Sequence, residues 1–207
     1  MKNKKLIISI FLIGMFLGFL LWFPSFILFR LAPEGVNCKK SSGTLWQGQC
    51  VGLHIHELTA DYFYWKIRPL KLLSGNISGE ISFTGKTNIN KLKNFLPSLN
   101  SLDDTTGYIY FKIESLKFTN KNIENILGSI TVKELTIKRV SSESIGDFEL
   151  VFQPATKVGV LRDITSPLQI SGTVELTNAL SYMLKISIKS RDNQFRPYEI
   201  IHTANWL

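Results

Sequence analysis

Apolar and polar residues alternate along much of the chain. Over residues 76–83, Ile77, Gly79, Ile81 and Phe83 stand between Asn76, Ser78, Glu80 and Ser82. Over 107–113, Ile109, Phe111 and Ile113 alternate with Tyr108, Tyr110 and Lys112, and the same period recurs over 130–137, 148–152, 170–176 and 183–189. A period of two punctuated by Gly, Ser, Asn and Asp predicts an antiparallel sheet with one face turned to a core. Two short helical pieces interrupt it. One is predicted over 89–96, with Asn88 as its cap and Pro97 beyond its end, and a turn of helix over 122–127.

The N-terminal pattern is different. Residues 6–29 hold no charged side chain. As a helix this run would extend ~36 Å, against a hydrocarbon core of ~30 Å, which predicts a single transmembrane helix with some tilt. Pro24 lies near its far end, where a kink is tolerated or the helix begins to break. Trp22, Phe23 and Phe26 suit the second interface. Lys2, Lys4 and Lys5 precede the run and favour a cytoplasmic N-terminus; Arg30, Lys39 and Lys40 follow it and blur the bias. A cleaved signal peptide is the competing reading. The run exceeds the usual apolar core of about 7–15 residues, and Ala32-Pro33 makes a poor cleavage site, so the uncleaved anchor is favoured. The predicted organisation is a cytoplasmic tip (1–5), a membrane helix (6–29) and an exported β-rich domain (30–207).

An internal echo divides that domain. Leu53-His54-Ile55-His56-Glu57-Leu58-Thr59-Ala60 aligns with Ile130-Thr131-Val132-Lys133-Glu134-Leu135-Thr136-Ile137, and Ile77-Ser78-Gly79-Glu80-Ile81 with Ile170-Ser171-Gly172-Thr173-Val174. In both Glu-Leu-Thr segments the alternation slips by one residue, as at a bulge. The echo suggests two related β halves, 36–96 and 106–207; chance similarity between strands of like composition is the alternative.

Charge and cysteine content narrow the setting. The formal charge is +8, and without the three N-terminal lysines 21 basic residues face 16 acidic ones. The lysines are scattered among strands, which suits solvated faces and guarded sheet edges. Nothing resembles a basic helix or an aromatic-interleaved basic motif, which argues against nucleic acid as a partner. Cys38 and Cys50 follow the apolar run closely. A disulfide between them in an oxidising compartment is favoured over two unpaired buried thiols.

The most distinctive stretch is Ser42-Gly43-Thr44-Leu45-Trp46-Gln47-Gly48-Gln49. Glycines on both sides of an aliphatic–aromatic pair suit a strand that bends sharply or lies against another backbone. Trp46 is expected to bury a large area if its indole N–H finds an acceptor. Further on, in Trp65-Lys66-Ile67-Arg68-Pro69-Leu70, Pro69 ends the strand begun near Leu58.

In order and spacing these features resemble the type II secretion system protein N family: a short tip, one membrane span, the Gly43-Thr44-Leu45-Trp46-x-Gly48 motif, then Trp65-x-Ile67-x-Pro69. Ile145-Gly146-Asp147-Phe148 and Ser166-Pro167-Leu168-x-Ile170-Ser171-Gly172 are similar to features of the family's second half. The resemblance implies an accessory inner-membrane subunit, without enzymatic activity, of the machine that carries folded proteins from the periplasm across the outer membrane. Its partners would be other secretion subunits and the membrane. The β-rich part is also distantly similar to AsmA-type envelope proteins, which implies a lipid-binding or lipid-transfer module as the alternative.

Catalytic chemistry is not evident. There is no Gly-x-Ser-x-Gly elbow, His-Glu-x-x-His pair or phosphate-binding loop, and no cofactor is implied. His54 and His56 are expected to share one face of a strand, with His202 far along the chain, which favours solvent-facing residues over a metal site. Asp103 and Asp104 read as part of a charged loop rather than an acid–base pair. Asn76-Ile77-Ser78 is a formal glycosylation acceptor, incidental in a bacterial setting.

Overall fold

Eleven strands follow one another in the chain: β1 (Val36–Gly43), β2 (Gln47–Ile55), β3 (Leu58–Ile67), β4 (Ser78–Asn88), β5 (Thr105–Thr119), β6 (Asn122–Ile137), β7 (Gly146–Phe152), β8 (Val158–Thr165), β9 (Leu168–Asn178), β10 (Ser181–Ser190) and β11 (Tyr198–Asn205). In this computed structural model they form a single sheet whose spatial order is the chain order, β1 to β11. Every neighbouring pair is antiparallel. The structure describes Ile8, Phe11, Leu12, Gly14, Met15, Gly18 and residues 22–205, save Glu57, Leu73, 93–104, Lys121, 139–143, Ala155, Pro167, 179–180 and 191–197. Short helices accompany the sheet, among them α1 (Ser25–Leu31), α2 (Pro69–Leu72) and α3 (Ile89–Leu92).

The up-and-down order sorts the connections into two ends. The turns β1–β2, β3–β4, β5–β6, β7–β8 and β9–β10 share one end of the sheet, and the remaining connections share the other. The ladder from β4 to β5 crosses the join between the two expected halves, while 96–104 lies outside the described residues.

One face of the sheet is apolar. Ile113, Ile126, Phe152 and Leu176 form a cluster in which each is at most 6% exposed, with Phe83, Leu116, Leu150 and Tyr182 packed against it. A single sheet buries side chains on this scale only by bending around them. β6 and β9, three places apart in sheet order, touch each other, so the sheet curls onto its own apolar face. Burial of each such side chain is worth ~1.5–3 kcal/mol. A second cluster, Cys50, Leu53 and Trp65, lies on β2 and β3 beneath α1.

Several expectations need correction. The single helix over 6–29 does not hold: Pro24 is extended (φ −70°, ψ 140°), bridges to Thr44, and α1 starts afresh after it. Proline has no N–H to continue the ladder and disfavours helix in the residue before it. Ile8, Phe11, Leu12, Gly14, Met15 and Gly18 are helical, and the rest of 1–21 lies outside the described residues. Among the described residues no helix is long and apolar enough to cross a membrane.

Residues 122–127 are strand, not helix. Asn120, at φ 45°, makes the left-handed turn that lets Thr119 pair with Asn122, and pairing along β5 overrides the helical spacing of Ile123 and Ile126. The two slips of alternation have different outcomes. Glu134 (φ 54°) sits in a bulge where the β6–β7 register shifts, whereas His56 (φ 51°) turns the chain after Ile55, at the end of β2. Asn88 does cap α3, its Oδ1 accepting from Asn90 N at 2.9 Å; residues 93–96 lie outside the described residues.

Candidate functional site

The glycine-flanked motif is the turn between β1 and β2. Gly43 pairs with Gly48, and Thr44 N donates to Gln47 O at 2.8 Å. The Thr44 hydroxyl accepts from Trp46 N (3.3 Å) and Gln47 N (3.2 Å), closing the turn from inside. Gly43 needs to be glycine because its φ is 101°, with Gln47 O against the place where a Cβ would stand.

The turn holds on to two other parts of the chain through its backbone. Leu45 N donates to Phe23 O at 2.8 Å, and Thr44 bridges to Pro24, so the segment leading out of the apolar N-terminal run is tied here. Trp46 O accepts from Ile67 N at 2.6 Å, and Leu45 O accepts from the Trp65 indole Nε1 at 3.0 Å. The motif thus joins the N-terminal segment to the end of β3.

Trp65, not Trp46, is the deeply buried tryptophan of the pair; it is 6% exposed, while Trp46 is half-buried. Its ring lies over Gly48, where a Cβ would come within 2.5 Å of Cζ2. Phe63 stacks beside it at 5.8 Å, and Phe29 of α1 meets it edge-on at 6.0 Å. This is how α1 docks on the sheet. Ser25, the first residue of the helix, is buried, at 1% exposed.

Between α1 and the sheet lies an open groove of about 370 Å³, whose lining among the described residues is apolar and includes Phe29, Phe63, Trp65, Ile67, Ile81 and Phe118. The opposite face carries charge: Lys66, Glu80 and Lys117 are register partners across β3, β4 and β5. A surface apolar on one side and charged on the other suits holding a ligand or partner by its apolar part.

Cys38 and Cys50 are joined by a disulfide, with Cα atoms 6.0 Å apart, linking β1 to β2. Cys50 is fully buried next to Leu53 and Trp65. Pro69 is the first residue of α2, a position where its missing N–H costs nothing. The next turn is held to the β5–β6 turn: Ile77 N donates to Asn120 Oδ1 at 2.7 Å, and Asn120 Nδ2 to Asn76 Oδ1 at 2.8 Å. Asn76 therefore serves a turn-to-turn contact.

His54 and His56 do not share a strand face, because the chain reverses at His56. Among the described residues no three His, Cys, Asp or Glu side chains converge as metal ligands. Asp103 and Asp104 lie outside the described residues. Sequence reasoning missed the backbone partners of the motif, Phe23 and Ile67, because a carbonyl or an amide carries no side-chain signature.

No curated protein and no solved structure matches the chain significantly. The family model of type II secretion system (T2SS), protein N, matches residues 34–197, a span that contains the turn, the disulfide, Trp65 and every strand but the edge strand β11. The chain belongs to the type II secretion system protein N family.

Proposed function

We propose that this chain is a non-enzymatic accessory subunit of the type II secretion machine, anchored in the inner membrane by its apolar N-terminal run with the β-sheet in the periplasm. The observation that carries the anchoring is the β1–β2 turn, whose Leu45 N and Thr44 hold the Phe23–Pro24 segment at one end of the sheet. A tether that enters the domain through fixed hydrogen bonds sets the sheet's orientation as well as its position. The disulfide of Cys38 and Cys50 fits an oxidising compartment.

The sheet is the interacting part. Among the described residues β11 has a neighbour only on its β10 side, and Glu199 and Ile201 are exposed there, the latter at 68%. An edge of this kind accepts a partner strand through backbone hydrogen bonds. The test is a photo-crosslinking residue at Glu199 in cells that carry the whole machine. Adducts with other secretion subunits, together with impaired secretion on deletion, are expected. Normal secretion after deletion and no adduct would overturn the reading.

A second reading, a lipid-binding or lipid-transfer module, is favoured by the apolar groove beneath α1. Mass spectrometry of the purified chain should then find phospholipid retained in the wild type and lost from an Ala32→Trp variant that fills the groove. Equal amounts in both would remove this reading.

A further inference from the structure

The β3–β4 connection exposes apolar side chains that nothing among the described residues covers. Leu70 is 76% exposed, Ile77 50% and Leu72 37%. The only charged residues from Arg68 to Ile77 are Arg68 and Lys71, both basic. Three large apolar side chains in so short a stretch are more than the scattered single ones normal on a protein surface.

This connection is also held in place. Arg68 N donates to Ser78 O at 3.0 Å, and Asn76 N to Lys71 O at 3.0 Å. The Asn120 side chain pins Ile77 and Asn76 from the neighbouring turn. The apolar groups are therefore presented by a fixed backbone.

Its place in the sheet identifies what it faces. Phe23 O accepts from Leu45 N, and Trp46 O accepts from Ile67 N, the residue before Arg68. Two hydrogen bonds thus separate Phe23, within the apolar N-terminal run, from the start of this connection, and both lie at one end of the sheet. Trp22 (81% exposed) adjoins Phe23, and Phe26 (49%) lies in the first turn of α1 just after Pro24. Arg68 and Lys71 line one cleft with Lys66 and Lys117 and with the carboxylates of Glu80 and Glu124, so cations outnumber anions there by four to two. Exposed aliphatic groups beside a predominantly basic surface, next to a membrane-directed segment, match the chemistry of a bilayer surface, with its acyl boundary and anionic headgroups.

We propose that residues 68–77 seat on the membrane surface, with Leu70 and Ile77 entering the interfacial layer and Arg68 and Lys71 meeting anionic headgroups. The sheet then stands end-on against the bilayer, held at two points rather than swinging from one tether. This rests on the anchoring proposed above.

The test uses the full chain in nanodiscs of zwitterionic and anionic phospholipid. An environment-sensitive fluorophore is placed on Leu70→Cys and, as a control, on Lys138→Cys at the opposite end of the sheet; the two native cysteines are bonded to each other and do not react. The label at 70 should be blue-shifted and quenched several-fold more by brominated lipid than the label at 138. Leaving out the anionic lipid, or combining Arg68→Gln with Lys71→Gln, should reduce that quenching. Incorporation with both labels equally water-exposed overturns the inference while leaving the anchor standing. A blue shift without lipid quenching assigns the surface to a protein and overturns it too. Failure of the chain to enter nanodiscs overturns the anchor, and this inference with it.

Discussion

Trp65 and Leu45 lie on different elements, twenty residues apart, and meet through one hydrogen bond of 3.0 Å from the indole Nε1 to the Leu45 carbonyl. The same Leu45 gives its own N–H to Phe23 O at 2.8 Å. One peptide-bonded residue in a turn therefore carries both the docking of a buried tryptophan and the attachment of the N-terminal segment. Gly48 makes room for this, since the tryptophan ring occupies the space of a side chain there.

Replacing that glycine tests the arrangement. Gly48→Ala puts a Cβ 2.5 Å from Trp65 and 2.7 Å from Ser42 O. Overpacking of this kind costs about 1–3 kcal/mol. Trp65→Phe keeps a ring but leaves Leu45 O without its donor, for a loss of about 1–2 kcal/mol. Circular dichroism during denaturation of the full chain in detergent reads both. Wild-type stability in Gly48→Ala would mean the ring does not lie over the glycine.

The disulfide makes a second prediction. Cys38 and Cys50 are 12 residues apart, and a bond closing a loop of that size stabilises by about 3 kcal/mol in the chain-entropy model. Replacing both cysteines by serine should lose about that amount, and the wild-type chain should take up maleimide only after reduction. Labelling of both thiols without reductant contradicts the bond in the cell.

How far the pattern of residues reveals this fold depends on burial. β4, β5, β7, β9 and β10 press one face against the curled interior, so alternation appears in their sequences. β1 lies at the sheet's edge and turns only Val36 and Cys38 to the second cluster, while its run Lys39-Lys40-Ser41-Ser42 shows no period to announce it. β8 and β11 were hidden for a related reason: Arg162, Ile164, Glu199 and Ile201 are all exposed. The candidate site was half visible. Its glycines and Thr44 signal a tight turn, but the choice between Trp46 and Trp65 as the buried ring depends on which strand reaches the turn, and that is a tertiary fact.

Asn120 offers a test of the β5–β6 turn. It combines a left-handed backbone (φ 45°) with side-chain bonds to Ile77 N and Asn76 Oδ1. Asn120→Ala loses both features and should cost about 2 kcal/mol. Asn120→Gly keeps the backbone freedom and should cost roughly half as much. Hydrogen exchange at Ile77 and its neighbours should rise in both variants, because the Asn120 side-chain bonds to Ile77 N and Asn76 are gone. Among the described residues only the Asn120 N to Ile77 O bond then remains between the two turns. Equal costs for the two would show that the left-handed backbone contributes nothing.

Phe29 tests the seating of α1. Truncation to alanine removes the edge-on contact with Trp65 and widens the groove beneath the helix. A half-buried ring of this kind is worth about 2–3 kcal/mol. Faster exchange confined to α1, with the sheet unaffected, is the expected signature. Unchanged protection of α1 would mean that other contacts hold the helix.

The identity of spatial and chain order has a consequence for assembly. Each strand pairs with the one synthesised just before it, so no strand waits for a distant segment before its hydrogen bonds can form. Sequence-local pairing keeps the closure entropy of every step small and favours fast folding. A chain released from its N-terminus outward, by a ribosome or a translocation channel, extends the sheet one hairpin at a time. The growing edge is the only unpaired one that moves. The sheet can therefore be completed in the direction of its own delivery, starting from the turn that holds Phe23.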